Sequence, residues 1–520
     1  MTGQRTLIIG LGATGYSCLK SLHGRVPVAV CDTRANPPYL DAARTEFADT
    51  ELLEPAAVNF DDFDRAVISP GIGLDHCLAR RARDADLEIL GDIDLFLGLA
   101  RAPVIAITGT NGKSTVASMV GKLLDRGSGS VRVGGNLGVP ALDLLDLHRS
   151  PPPATDATPA LPHASAVGET SPAEGSLLRG VSPSRSPAEG SLLRGVSPSR
   201  SPAEGSLLRG ASPSRSPAEG SLLRGASPSR SPAEGSEVDW YVLELSSFQL
   251  ERMGSGAFDI AAVLNISADH LDRHGSFDAY VRAKRRVYLG CRAAVYDGSD
   301  PHTRPPPETP AIALNGCPNW RVDGDEVIID GTPFPLSSFQ LGGRHNAYNV
   351  LAACAIASLT GSGAEPRRLF DFPGLPHRSA FVGSVGSVRC IDDSKATNVG
   401  ACVAALNGFG GEDRDIVLIA GGDGKNASFE PLKDPVARHA KHVVLIGRDA
   451  PRIEAALAGI VPVSRASDMD RAVAKALAAA RGRGTILLSP ACASFDMFDN
   501  FEARGDAFRA AVDRAAGTHG

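Results

Sequence analysis

The segment TGTNGKST, Thr108 to Thr115, holds the densest chemistry in the chain. The apolar run VIAI leads into it, and Val116, Met119, Val120, Leu123 and Leu124 follow at helical spacing, so a strand, a loop and a core-facing helix are predicted. Amides of Gly109, Thr110, Asn111 and Gly112 can cradle phosphates, Lys113 can neutralise β and γ oxygens, and a Ser114 or Thr115 hydroxyl can ligate Mg²⁺. The loop departs from GxxxxGK[ST], because Ile107 takes the first glycine position and Gly109 comes two residues later. Phosphate binding by amides and a lysine survives that change.

Other apolar runs also end in polar clusters. DWYVLELSSFQLE carries Glu244 just before Ser246 and Ser247, and a carboxylate at a strand tip needs a cation or donors, which Mg²⁺ would supply. AAVLNISADHLDRH delivers Asp269, His270, Asp272 and His274, ahead of a Lys/Arg-rich helix on which Lys284 reads as a solvated charge unless the site claims it. GLPHRS, Gly374 to Ser379, precedes VRCIDDSKATN, which crowds Asp393, Ser394, Lys395, Thr397 and Asn398 at a helix start. A following glycine turn carries Asp423 and Lys425, and SPACASFDMFDNF adds Ser494. The two lysines suit an anionic ligand. TLIIGLGATG places Gly10, Gly12 and Gly15 between a strand and a helix, with Asp32 ending the next strand, and AVISPG ends at Ser69, Pro70 and Gly71. Such a fingerprint fits an NAD-dependent dehydrogenase, any other nucleotide diphosphate, or a plain packing turn.

Strands alternating with helices imply an α/β chain whose polar loops gather at the carboxyl ends of parallel strands. The length of 520 residues allows three to four domains. A net charge of −6 with no basic stripe argues against nucleic acid as a partner. Nine scattered cysteines, without CxxC or Cys/His ligand spacing, fit reduced thiols in the cytoplasm rather than a zinc site. The N-terminal residues lack a signal-peptide pattern, and no apolar run reaches the roughly 20 residues of a membrane span. Residues 171 to 230 are four copies of SPAEGSLLRG(V/A)SPSR, and the stretch 151 to 236 holds 14 of the 37 prolines. Two leucines per copy do not offset the entropy of ordering it, so a long disordered insertion is expected, with a partner-binding arm or an inactive scaffold protein as the alternative.

Taken together, TGTNGKST, GGNLGVPAL, YVLELSSFQLE, NISADHLDRH, GRHNAYN, GLPHR, DDSKATN, GGDGK and SPACASFDMF resemble the Mur ligase family over nearly the whole chain outside the insertion. LELSSFQLE with SPACASFDMF resembles its D-glutamate-adding branch rather than its L-alanine-, diamino-acid- or dipeptide-adding relatives, with another amino-acid-adding member as the alternative. The resemblance implies three α/β domains: a Rossmann-like UDP-sugar-binding domain (1–91), a central P-loop ATPase-type domain with a parallel or mixed sheet (92–374) and a Rossmann-like C-terminal domain (375–520). It implies a cytoplasmic step of peptidoglycan synthesis, in which ATP, UDP-N-acetylmuramoyl-L-alanine and D-glutamate react through an acyl phosphate, on a monomer. By the same resemblance Thr14, Asp32, Thr33, Arg34, Ser69, Pro70 and Gly71 match uridine-nucleotide positions, and Asn136, Ser246 and Gln249 match contacts toward the sugar, diphosphate or peptide end. Asn349, Arg378 and Asp393 match ATP contacts, joining Gly109 to Thr115. Lys395, Thr397, Lys425, Ser494 and Phe501 match the surroundings of D-glutamate. Lys113, Glu244, His270 and Lys284 match the catalytic set, with Ser114 and Glu244 at one Mg²⁺ and His270 and Lys284 at a second, Lys284 as a carbamate. Ser379 and Ala380 depart from the bulky residue and Glu common after GLPHR, which removes one partner for Arg378.

Overall fold

The computed structural model describes residues 4–127, 130–136, 138–145, 238–254, 256–341, 343–411 and 413–517. The repeat segment 151–236, and with it the expectation of a disordered insertion, lies outside the described residues.

Three sheets carry the architecture. In the first, β1 (Thr6–Ile9), β2 (Val28–Cys31), β3 (Glu51–Leu53), β4 (Arg65–Ile68) and β5 (Glu88–Leu90) lie parallel in the order β3-β2-β1-β4-β5. The continuous apolar run in β1 is explained by burial on both faces. Leu7 and Ile9 join Phe60, Ile68 and Leu78 on one side, while Ile8 joins Leu19 and Leu22 of helix Ala13–Leu22 on the other. The order reverses between β1 and β4, which opens a crevice at their carboxyl ends.

The second sheet comprises β6 (Val104–Thr108), β7 (Val131–Gly135), β8 (Trp240–Glu244), β9 (Ile260–Val263), β10 (Ala293–Asp297) and β11 (Ala311–Leu314). All are parallel, in the order β11-β10-β9-β6-β8-β7, so the central β6 is flanked by β8 and β9. Ile105 and Ile107 pack against Val116 and Val120 of helix Lys113–Leu124 and against Val350 and Leu351 of helix Arg344–Ser358. Val104 and Ala106 face the other way, into a cluster shared with Leu19 and Leu22 of the first domain. Helix Asp92–Leu99 lies in that cluster, and its Phe96 meets Tyr241 edge-on at 5.2 Å. Truncating such a buried ring costs about 3–5 kcal/mol. A small antiparallel meander, β12 (Trp320–Asp323), β13 (Glu326–Ile329) and β14 (Thr332–Pro335), closes the domain.

The third sheet runs β15-β16-β20-β17-β18-β19, from β15 (Ala380–Val385), β16 (Val388–Asp392), β17 (Ile416–Gly421), β18 (Ala440–Ile446), β19 (Val463–Arg465) and β20 (Gly484–Leu488). Only β15 is antiparallel to its neighbour, so this sheet is mixed. No described helix is long and apolar enough to cross a membrane.

Candidate active site

β6 delivers the phosphate loop. Gly109 and Gly112 adopt φ of +154° and +83°, and a Cβ on Gly112 would stand 2.6 Å from Asn349 Oδ1, so glycine is needed there for conformation and for space. The loop is tied to the β9 end: Thr110 N–H donates to Asn265 O at 2.8 Å, Asn111 N–H to Asn265 Oδ1 at 2.9 Å, and Ser267 N–H to Thr110 Oγ1 at 3.0 Å. Lys113 is half-buried and its Nζ donates to Thr110 O at 3.0 Å. Burial and the nearby Arg378 lower its pKa, while Glu244 works against that shift.

Glu244 ends β8 next door and is buried. Its Oε2 accepts from Ser114 Oγ at 2.5 Å and its Oε1 from Asn136 Nδ2 at 3.3 Å. Burial opposes the charge, but Lys113, the Ser114 hydroxyl, Arg378 and Asn136 outweigh it and hold the carboxyl below its usual range. Arg378 arrives from the C-terminal part of the chain and donates to Ser114 Oγ. The guanidinium therefore has a partner although Ser379 and Ala380 follow GLPHR. Ser379 takes a different role: its N–H donates to Asp393 Oδ1 at 3.0 Å and its hydroxyl lies 2.9 Å from His345 Nε2.

Beyond β9, His270 sits at φ +52° with Nε2 3.6 Å from Asp269 Oδ2. Asp269 Oδ2 also accepts from Asn398 Nδ2 at 3.1 Å, and the same amide lies 3.3 Å from Asn111 Oδ1, so the C-terminal helix start meets both loops. Burial lowers the His270 pKa against Asp269, with Lys425 and Lys284 adding to the fall. Lys284 is not a solvated charge. It is 2% exposed, donates to Gly109 O at 2.7 Å, and lies 4.7 Å over the Tyr280 ring. Burial and then Lys113 push its amine well below the usual lysine range.

Asp393, at the β16 tip, accepts from Ser489 Oγ at 2.8 Å. Burial raises its carboxyl to about 7 despite Ser489, Ser379 and Arg378. Lys395 lies 3.6 Å from the Phe501 ring centre, and burial with Arg378 lowers its amine to about 8. Lys425 follows Asp423 at φ +48°. Thr397 N–H donates to Lys395 O, and buried Ser494 accepts Met497 and Phe498 N–H at its carbonyl. Arg504, 1% exposed, donates to Ser394 Oγ at 3.0 Å, Ser394 O at 2.7 Å and Cys492 O at 3.0 Å, tying together the loops after β16 and β20.

At the first crevice, Ser69 Oγ donates to Gly10 O at 2.8 Å, and a Cβ on Gly15 would come within 1.8 Å of that oxygen. Asp32 accepts from Leu11 N–H at 2.6 Å and from Arg34 N, Nε and Nη2 at 2.8–2.9 Å. Burial opposes its charge, but these donors win and its pKa falls to about 2. Its acceptor positions are filled, which leaves little for the ribose hydroxyl that the dehydrogenase alternative needs. Thr14 is half-buried in the first helical turn, and Thr33 and Gly71 are exposed beside Arg34 and Pro70. Gln249 is held by Asp92, to which its Nε2 donates at 2.9 Å, while its Oε1 accepts from Ser246 N and Oγ at 3.1 Å.

The structure thus joins Ser114, Glu244, Asn136 and Arg378 by hydrogen bonds, with Lys113 beside Glu244 and with Asp269, His270 and Lys284 around the same loop. Asp32, Arg34 and Ser69 form a separate group at the first sheet. Sequence reasoning missed Asn346, whose Oδ1 accepts from Asn349 Nδ2 at 3.0 Å. Its spacing of three from Asn349 on a helix was the available signal. It also missed Arg504 and Ser489. Among the described residues no group of three or more His, Cys, Asp or Glu is placed to hold a metal alone.

The comparisons with known proteins follow the same three-part division. The model described as Mur ligase MurD-like, N-terminal domain, matches residues 4–91, the Mur ligase middle domain matches 230–306, and the Mur ligase glutamate ligase domain matches 377–492. The chain is 36% identical to UDP-N-acetylmuramoylalanine–D-glutamate ligase of Marinobacter nauticus, over 99% of both chains. It is 34% identical to the ligase of the same name from Chromohalobacter salexigens, over 97% of this chain and 96% of that one. The MurF ligase of Thermotoga maritima in complex with ADP shares the fold, with a TM-score of 0.53 at 13% identity, covering 96% of this chain and 98% of that chain. UDP-N-acetylmuramate–alanine ligase from the same organism gives 0.51 at 15%, covering 99% and 100%. The chain belongs to the Mur ligase family. The Marinobacter nauticus and Chromohalobacter salexigens relatives are UDP-N-acetylmuramoylalanine–D-glutamate ligases.

Proposed function

We propose that this chain joins D-glutamate to the L-alanyl carboxylate of UDP-N-acetylmuramoyl-L-alanine, with ATP consumed to ADP and phosphate, as a step of peptidoglycan precursor synthesis. A carboxylate is a poor electrophile, so the γ-phosphoryl group is first transferred to it. The D-glutamate amine then attacks the resulting acyl phosphate and expels phosphate. Both steps build negative charge on oxygens, and fixed cations stabilise it. The observation that carries this reading is that Arg378, from the C-terminal domain, donates to the Ser114 hydroxyl, which is bonded to Glu244 at the β8 tip beside Lys113.

Ser114 and Glu244 offer a hydroxyl and a carboxylate, hard oxygen donors that suit one Mg²⁺, which usually takes its other ligands from phosphates and water. That ion would supply charge stabilisation at the phosphates. Lys284 as a free amine donates to Gly109 O and is no ligand. Its buried amine, kept below its usual pKa, is suited to carboxylation by CO₂, and as a carbamate it would hold a second Mg²⁺ with His270. A cavity of about 310 Å³ lined by Phe339, Leu341, Asn346, Ala347 and Val350 is assigned to the adenine ring. Thr14, Thr33, Arg34 and Ser69 to Gly71 hold the uridine nucleotide, with Asp32 fixing the Arg34 guanidinium, and Asn136, Ser246 and Gln249 hold its sugar and peptide end. Lys395, Thr397, Lys425, Ser494 and Phe501 take D-glutamate. The domains divide at 91/92 and 374/375. The enzyme acts as a cytoplasmic monomer, a setting that its nine free cysteines suit.

The test is phosphate release from ATP with Mg²⁺ and the muramoyl-alanine nucleotide, comparing D-glutamate, L-glutamate and L-alanine. Release dependent on D-glutamate is expected. Release that ignores the amino acid overturns the substrate assignment.

A further inference from the structure

Two arginines of the middle domain reach one backbone oxygen of the first domain. Arg252 and Arg273 both donate to the Ile72 carbonyl, Arg273 at 3.1 Å, and Arg273 also lies 3.4 Å from Pro70 O. Together they hold the turn that carries Ser69, Pro70 and Gly71. Glu251 stands between the two cations: its Oε1 accepts from Arg252 at 2.9 Å and from Arg273 at 3.2 Å, and its Oε2 lies 3.6 Å from His274 Nδ1. The shared carboxylate fixes both guanidinium groups and offsets the cost of burying Arg252 fully and Arg273 in part.

The other side of Arg273 faces the Phe248 ring. Its guanidinium lies 4.6 Å over the Phe248 ring, which meets His270 edge-on at 5.0 Å and stacks on His274 at 5.4 Å. The Arg273 backbone N–H donates to the His270 carbonyl at 3.1 Å. One side chain therefore spans from the first-domain turn to the ring beside His270. A substrate whose nucleotide end lies in one domain and whose reacting carboxylate lies in another needs the spacing between them fixed, because misplacement by about 1 Å can cost 10²-fold in rate.

Resting on the function proposed above, we infer that Arg273 is a positioning residue for the UDP-sugar substrate. It clamps the Ser69–Gly71 turn to the Phe248–His270 face, so that the two ends of the substrate are held at one spacing. Planarity matters: the three acceptors lie around one terminal nitrogen, Nη2, while the flat guanidinium rests on the Phe248 ring, a face that a lysine ammonium does not offer.

The experiment uses the full chain with UDP-N-acetylmuramoyl-L-alanine as probe, measuring its Kd without ATP, then KM for each substrate and kcat, in wild type, Arg273→Ala, Arg273→Lys and Arg282→Ala. Arg282 is an exposed neighbour on the next helix and serves as control. Arg273→Ala is expected to raise the Kd and KM of the nucleotide about tenfold, which converts to about 1.4 kcal/mol, with KM for ATP within about twofold. Arg273→Lys should recover only part of the loss and Arg282→Ala should match wild type. Unchanged nucleotide Kd and KM in Arg273→Ala overturns the inference. So does an equal loss for nucleotide and ATP that tracks a lowered Tm, which marks a merely structural role. Should wild type bind the probe tightly yet release no phosphate with D-glutamate, the proposed function fails while a tenfold effect on Kd upholds the clamp. A wild type that does not bind the probe overturns both.

Discussion

Replacing Asp393 by asparagine should change how stability depends on pH. The carboxyl is raised from about 4 to about 7 because burial costs its charge more than Ser489, Ser379 and Arg378 return. With a folded pKa above the unfolded one, its contribution to stability is fully present below about pH 4 and is lost as pH rises through about 7. Three pH units at about 1.4 kcal/mol each set an order of 4 kcal/mol over the whole window, of which about 2 kcal/mol falls between pH 5.5 and 8. An amide has no such ionisation. Its oxygen can accept from Ser379 N–H as Asp393 Oδ1 does, and the Ser489 hydroxyl can turn to accept from the amide NH₂. Urea unfolding of the full-length wild type and Asp393→Asn at pH 5.5 and 8 supplies the assay. Asp393→Asn should gain about 2 kcal/mol on wild type between the two pH values. A difference between the proteins that is the same at both pH values would refute the reasoning, since no proton would then be linked to unfolding at this site.

Lys113→Ala should lower kcat by about 10²–10³ in the phosphate-release assay, the usual loss of one preorganised charge at a transition-state oxygen, with a near-normal rate contradicting its role. Gly112→Ala forces φ +83° on a residue with a Cβ and drives that carbon to 2.6 Å from Asn349 Oδ1. A loss of about 1–3 kcal/mol in stability is expected, together with weaker ATP binding by calorimetry. Deleting residues 151 to 236 should leave D-glutamate-dependent phosphate release within about twofold, because both flanks are anchored independently: Leu144 O accepts from Arg132 at 2.6 Å, and Asp239 N–H donates to Ser130 O at 2.8 Å.

The strands that carry the site could be read directly. Fully buried parallel strands leave continuous apolar runs such as VIAI and YVL, and the polar residue after each, Thr108 and Glu244, marks where the sheet opens. Lys284 was harder, because its neighbours Arg282, Arg285 and Arg286 suggest a solvated helix. Its distance of four from Tyr280 and three from Val287, both buried, puts it on the inward face. Arg378 could be assigned a motif but not a partner: Ser114 is 264 positions away, and only the meeting of two domains joins them. Asp32 shows what spacing leaves out. Its spacing from the glycines was right for a free ribose-binding acid, yet Arg34 two residues later occupies it. Spacing reports where a carboxylate stands, and local donors decide what it has left to bind.

Arg504 ties the loop after β16 to the loop after β20, and Lys395 and Ser494 stand on those two loops. Changes at the lysine and at the serine are thus changes to one rigid part. Effects measured singly at these positions should fail to sum in the double variant, although the residues come almost a hundred positions apart in the chain.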